Sequence, residues 1–449
     1  MKELFICLSA LGMILIGCSE NDDGESDKPN NNGNEQPENP NEPKLPELPA
    51  LPDPDDVCSV MDDLNFMAYC YENFDVNKDG KVSETEANAV RIISIDYRSP
   101  VESLKGIERF PNIEIFRSGD RITELDLRYN LKLKSISCYS CQLRTVLLPN
   151  TLTVIGENAF KECSSLTEIH FPASLTSIGG SAFSGCSSLT EIHFPVSLTS
   201  IGEGAFSKCS SLTEINLPDS LTSIGGSAFS GCSSLTEIHF PVSLTSIGEG
   251  AFSKCSSLTE INFPDNLTSI GGSAFSGCSS LTEIHFPVSL TSIGEGAFSG
   301  CSSLVEIHLP ANLTSIGERA FSSCSHLTKI QFPANLTSIE KEAFSGCSSL
   351  VEIHLPANLT SIGEDAFSDC FSLTEIHLPV SLTLIEMAAF YECSSLTKVT
   401  CYALVPPKLN SYSFDYHYII DVLCVPAESI QAYKDSPWAN NFKNILPIE

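Results

Sequence analysis

The sequence predicts an α/β repeat solenoid, with parallel strands on its concave face and a small helical unit ahead of the repeats. Three observations carry that prediction. Cys163, Cys186, Cys209, Cys232, Cys255, Cys278, Cys301, Cys324, Cys347, Cys370 and Cys393 recur every 23 residues, closing eleven units over 141–393. Strict self-similarity at such a period marks stacked repeats rather than a set of independent domains. Residues 187–232 and 233–278 differ only by Leu217 against Phe263 and Ser220 against Asn266, the mark of recent tandem duplication. Ahead of the repeats, residues 58–92 contain a compact unit that is not repetitive.

Each coil is legible in the unit Ser164–Cys186, SSLTEIHFPASLTSIGGSAFSGC. Leu166, Ile169 and Phe171 are expected to point inward from a short strand, leaving Thr167, Glu168 and His170 outside, because strand side chains alternate. Pro172 ends the strand, since it has no N–H to give a ladder. Ser174 occupies a polar ladder position that Asn266, Asn312, Asn335 and Asn358 fill in other coils, and these asparagines are expected to be buried. Leu175, Ile178, Ala182 and Phe183 then cover the outer side, and the cysteine closes the buried turn. Residues 93–140 contain looser versions of the pattern, such as Ile122–Leu127 and Leu133–Cys138, and are expected to be degenerate first coils. Eleven coils at about 4.8 Å each give a stack about 50 Å long.

Residues 1–17 carry Lys2 and an apolar run, Leu4–Ile16, too short to span a bilayer, which predicts an export signal. The run ends in Leu15-Ile16-Gly17-Cys18, which resembles the lipobox of bacterial lipoproteins and implies lipidation at Cys18. Ser19-Glu20-Asn21-Asp22-Asp23 resembles the signal that sends some lipoproteins to the outer face of the outer membrane. Residues 18–57 hold 12 acids against Lys28 and Lys44 and almost no large apolar groups, so a disordered acidic tether is expected up to Val57.

The unit at 58–92 centres on Asp75-Val76-Asn77-Lys78-Asp79-Gly80-Lys81-Val82-Ser83-Glu84-Thr85-Glu86. This has the spacing of an EF-hand calcium loop. Asp75, Asn77 and Asp79 offer side-chain oxygens, Lys81 a backbone carbonyl, Ser83 a water-bridged position, and Glu86 a bidentate carboxylate. Helices are expected at Val60–Phe74 and Glu84–Arg91. Because only one loop is present, one structural calcium ion that locks an N-terminal cap is expected, rather than a paired sensor. A half-dockerin would need a second copy.

The repeat pattern, with the ending Val399-Thr-Cys401 through Cys424-Val-Pro426 to Trp438, resembles the BspA-like leucine-rich-repeat surface proteins over 93–449. That resemblance implies a right-handed leucine-rich-repeat fold, a C-terminal cap over 394–449, and a cell-surface protein of the adhesin kind. The choice of a host or bacterial protein or glycan as ligand comes from the resemblance alone.

Spacing also bears on the 19 cysteines. Stacked copies should point their thiols at an apolar core rather than at each other, so the repeat cysteines are expected to be free. Cys138 and Cys141 form one CxxC without a second half, which argues against a metal site. Cys401 falls in register with Phe171, hence in the core, and the pairs Cys58/Cys70 and Cys401/Cys424 are candidate bridges.

On the concave face the candidate ligand-binding residues are Glu168, His170, Glu191, His193, Glu214, Glu237, His239, Glu260, Glu283, His285, Glu306, His308, Glu352, His354, Glu375 and His377, interrupted by Lys329 and Lys398. Three readings of these columns stand side by side: a solvated face, a docking surface for a basic ligand, or Glu/His sites bridged by zinc. The formal charge of −31 disfavours a nucleic acid or an anionic membrane surface as partner. Because Ser, His and Glu recur as copies instead of converging at one place, no enzyme is expected; a site in the caps is the remaining catalytic alternative. A passive spacer is the other alternative. A monomer whose only membrane contact is the lipid anchor completes the expectation.

Overall fold

The computed structural model describes residues 45–96, 98–119, 121–414 and 419–448. Cys18, the export signal and most of the tether lie outside these residues. The tether ends earlier than Val57: Leu51 packs against the core, Val57 is buried, and Asp56 accepts hydrogen bonds from Cys58 N, Val82 N and Tyr71 Oη.

Helix α1 (Leu64–Phe74) is shorter than expected, because Asp63 caps it and accepts from Asn65 and Phe66 N–H. Residues Val57–Val60 form a separate 3₁₀ turn. The other carboxylate oxygen of Asp63 accepts from Glu102 and Ser103 N–H, which ties α1 to the first coil. Helix α2 (Glu84–Ala89) starts at Ser83 with a capping box closed by Glu86. Among the described residues the repeats themselves carry no α-helix; helix returns only in the C-terminal cap, as α3 (Ile430–Lys434).

The repeats build parallel ladders in register at the 23-residue period. One joins the Glu-Ile-His segments, as in Glu237↔Glu214 and Ile238↔Ile215. A second, not foreseen, joins two-residue Ser-Ile strands such as Ser223↔Ser246 and Ile224↔Ile247. The turn before each cysteine adds a third set of coil-to-coil bonds, such as Phe183 N to Ala205 O at 2.7 Å. Coils are thus hydrogen-bonded to their neighbours on as many as three sides. The degenerate segments take part as well, on different sides: Glu124–Asp126 pairs with Thr145–Leu147, whereas Ser135–Ser137 pairs with Ile115–Arg117.

Leu166, Ile169, Leu175, Ile178, Ala182 and Phe183 are buried as predicted, and so are their counterparts in later coils. Stacked phenylalanines run through the core from Phe160 to Phe390 and end on Phe414, with centroids 5.2–5.5 Å apart. The Phe171 position departs from expectation. Phe171, Phe194, Phe240, Phe286 and Phe332 are only half-buried, lying edge-on against the inner stack.

The ladder asparagines are a correction too. Asn266, Asn312, Asn335 and Asn358 are exposed, each Nδ2 donating to a carbonyl of the preceding coil at 2.9–3.1 Å. The turn after Pro lies at the surface, so the amide bridges coils there without entering the core. At the C-terminal end Phe414 meets Trp438 and Phe442, Trp438 Nε1 donates to Pro407 O, and parallel strands Ile420–Val425 and Phe442–Pro447 close the stack.

Candidate binding face

The sequence Leu-x-x-Ile-x at the start of each coil buries Leu and Ile and leaves the intervening residues in solvent, so every Glu-Ile-His segment presents Glu and His outward. Register then sets like residues side by side: Glu214 beside Glu237, Glu260 beside Glu283, His354 beside His377. The sixteen predicted face residues occupy the same two positions of their coils, twelve of them in paired Glu-Ile-His strands.

The histidines are not isolated. His239 Nε2 lies 3.2 Å from Glu237 and 3.6 Å from Glu214; His285 repeats this with Glu283 and Glu260 at the same distances. His170, His193, His308, His354 and His377 each contact the glutamate two residues earlier, at 3.1–3.8 Å. Asn216 and Asn262 replace histidine in alternate coils and donate to Glu214 and Glu260 at 2.7 and 2.8 Å. Farther along, lysines take over: Lys329 reaches Glu306 at 3.4 Å and Lys398 reaches Glu375 at 2.6 Å. Such exposed pairs add little stability, at most about 1 kcal/mol each. Their consequence is an ordered polar surface. A hollow of about 520 Å³ opens on it between two coils, lined in part by Glu237, His239, Phe240, Glu260 and Asn262.

In the loop at 75–86 the polar side chains organise the loop's own backbone. Asp75 accepts from Lys78 and Gly80 N–H, Asn77 Oδ1 from Asp79 N–H, and Asp79 from Lys81 N–H. Gly80 takes φ +85°, a left-handed turn that suits glycine. Glu86 folds back over the loop, accepting from Val76, Asn77 and Ser83 N–H and from Ser83 Oγ. Those donors, the Ser83 backbone foremost, hold its carboxyl at about 2, well below the usual 4.5. The Lys81 ammonium pairs with Asp53 at 2.9 Å. No group of three or more His, Cys, Asp or Glu side chains is gathered for a metal ion among the described residues, on the Glu/His face or elsewhere.

Among the described residues no disulfide joins the cysteines from Cys58 to Cys424, so neither candidate bridge, Cys58/Cys70 nor Cys401/Cys424, is formed, and all but Cys424 are buried. From Cys186 to Cys393 each repeat Sγ donates to the phenylalanine carbonyl 26 residues back, at 3.2–3.5 Å, which sequence reasoning did not foresee. Cys163 instead donates to Cys138 O, and Cys141 to Gly119 O, so the CxxC sulfurs serve the core. Cys401 is buried in register with Leu378 and receives the Tyr433 hydroxyl at 3.1 Å, as befits its predicted place in the core. Among the described residues no helix is long and apolar enough to cross a membrane.

Stacked identical coils with one polar strand ladder outward define a repeat-solenoid protein of the leucine-rich class. The chain belongs to the BspA type leucine-rich repeat family, whose six-copy repeat region matches three overlapping stretches, residues 131–258, 223–350 and 314–434. A leucine-rich repeat protein from Bacteroides ovatus is 30% identical, with 71% of this chain and 88% of that one covered and a TM-score of 0.57. A leucine rich cell surface protein from Faecalibacterium prausnitzii is 31% identical over 63% of this chain and 83% of that one, with a TM-score of 0.43. The pneumococcal vaccine antigen PcpA is 18% identical over 74% and 85%, with a TM-score of 0.41. No curated protein matches the chain.

Proposed function

We propose that the chain is a cell-surface binding protein, an adhesin, which uses its Glu/His face to hold a protein or glycan and is tethered through a lipid on Cys18 at the outer membrane. The observation that carries this is the exposed, in-register Glu/His ladder, where seven consecutive coils from Glu168 to Glu306 keep a glutamate that the buried fold does not need. Membership of a family resembled by surface proteins supports the location. Copies of one surface favour binding over catalysis, which needs unlike groups fixed at one point.

The test replaces Glu237, His239, Glu260, Glu283 and His285 together by Gln and screens both proteins against matrix proteins and glycans. Retained circular dichroism with binding lost is the expected result; unchanged binding would make the face a spacer. Protease shaving of intact cells should remove the protein, and Cys18→Ala should release it from the membrane.

In the same reading the loop at 75–86 holds one calcium ion. Asp75, Asn77, Asp79 and Glu86 would supply side-chain oxygens and Lys81 its carbonyl, and the ion would fix α1 against α2. The oxygen donor types at this spacing and the left-handed Gly80 suit a hard cation. Chelation, or Asp75→Ala, should lower the melting temperature of this cap; no change in either would remove calcium from the proposal.

A further inference from the structure

Between Glu191 and Val288 the Glu/His face has a second period, twice the first. Glu214, Asn216, Glu237 and His239 form one group, with an Asn–Glu hydrogen bond and His–Glu contacts, and Glu260, Asn262, Glu283 and His285 repeat it two coils on, with distances equal to within 0.1 Å. Three residues past the histidines of alternate coils stand Val196, Val242 and Val288, at 87%, 69% and 72% exposure, while Asp219 and Asp265 hold the same place in the coils between. Each doubled coil therefore carries one open valine beside the charged ladder. Phe240, Phe263 and Phe286 lie stacked at 5.8 Å, their inner sides against the core rings.

Parallel strands are about 4.8 Å apart, so the doubled period is about 9.6 Å along the solenoid. A polyproline II chain rises about 3.1 Å per residue and turns every three residues, so it repeats each ~9.3 Å. Three such turns slip by about 1 Å against three doubled coils, within the reach of a flexible side chain. A β-strand repeats each ~6.6 Å and an α-helix each ~5.4 Å, and neither keeps step. The charge then selects the sequence. No Lys or Arg occupies the glutamate or histidine columns from Glu168 to Glu306, so the complement is a cation on every third residue. The valines and the half-buried phenylalanines suit proline rings between the cations.

We infer that this face binds an extended polyproline II polypeptide with a basic residue at every third position, lying along the solenoid axis. The inference rests on the binding role proposed above and names the ligand class for it. Each doubled coil contributes an equal, weak contact, and affinity arises from their number.

The test titrates the full chain with labelled (Lys-Pro-Pro)6 and with a peptide of the same composition whose lysines are clustered at one end. The periodic peptide should bind at least about tenfold tighter, and Glu237→Gln with Glu283→Gln should remove most of that advantage. Equal binding of the two peptides would overturn the inference, because charge alone would then explain it; so would failure of the periodic peptide to bind. If that failure occurs while the five-residue face variant still loses adhesion, the ligand class falls and the binding role stands. Loss of neither removes both.

Discussion

At the scale of single residues, the cysteine and phenylalanine positions do more than fill space. From Phe160 to Phe344 each inner phenylalanine carbonyl receives the cysteine N–H of its own coil and the thiol of the next, as Phe229 O does from Cys232 N and Cys255 Sγ. Burial pushes the thiols of Cys232, Cys278 and Cys347 up to about 12. Since only thiolate reacts, the repeat cysteines should resist an alkylating reagent at about pH 8 for as long as the fold holds, and all should label once guanidinium unfolds it. Mass spectrometry of the labelled peptides checks this; rapid native labelling of Cys232 or Cys278 would contradict the ladder. Removing one inner ring, as in Phe275→Ala, should cost about 3–5 kcal/mol in denaturant unfolding, because Phe275 is fully buried and stacks on Phe252 and Phe298. Phe286→Ala should cost less, its ring being half in solvent already. The sequence indicated which of these side chains face inward, through their period. It could not indicate the thiol bonds, since those depend on where a neighbouring coil puts its carbonyl.

At the scale of the coil, stability comes from neighbours, so coil number is adjustable in whole units. Residues 233–278 form two complete coils whose removal would bring Cys232 before Ser279, the same junction that Cys278 makes now. A chain lacking 233–278 should fold and melt cooperatively near the parent temperature. One lacking 233–266 should lose stability severely, because the Ser-Ile ladder Ile224–Ile247–Ile270 and the phenylalanine stack would both fall out of register. Circular dichroism melts distinguish the outcomes. The glutamate ladder was legible because strand alternation and Pro172 fix its bounds. The Ser-Ile ladder was not: two residues per coil are too few to display a period of two. The ladder asparagines were misplaced for a related reason, as sequence shows that they are polar and repeated but not which side of the turn they bridge.

At the scale of the whole molecule, the N-terminal cap and the repeats are held by different forces. Between Cys186 and Cys393 the interior contains thiols, aromatic rings and aliphatic chains, with no buried carboxylate or amine. The cap instead depends on carboxylates: Asp56, Asp63, Asp75 and Glu86 each organise backbone N–H groups. Burial alone would push Asp63 up, yet four backbone donors outweigh it and hold it below its ordinary value. Glu86, at about 2, is lowered further. A group whose folded-state value is depressed contributes stability that is present above its unfolded value and is lost as pH falls through the folded one. For Glu86 that window runs from about 4.5 down to about 2. Acid should therefore open the chain from one end: below about pH 4, amides of α1, α2 and the 75–86 loop should lose hydrogen-exchange protection while the central coils keep theirs. Glu86→Gln should bring that loss to neutral pH. If the cap and the central coils instead lost protection together at every pH, the cap and repeats would form one cooperative unit. The carboxylates would then be supporting the whole stack rather than its first turn.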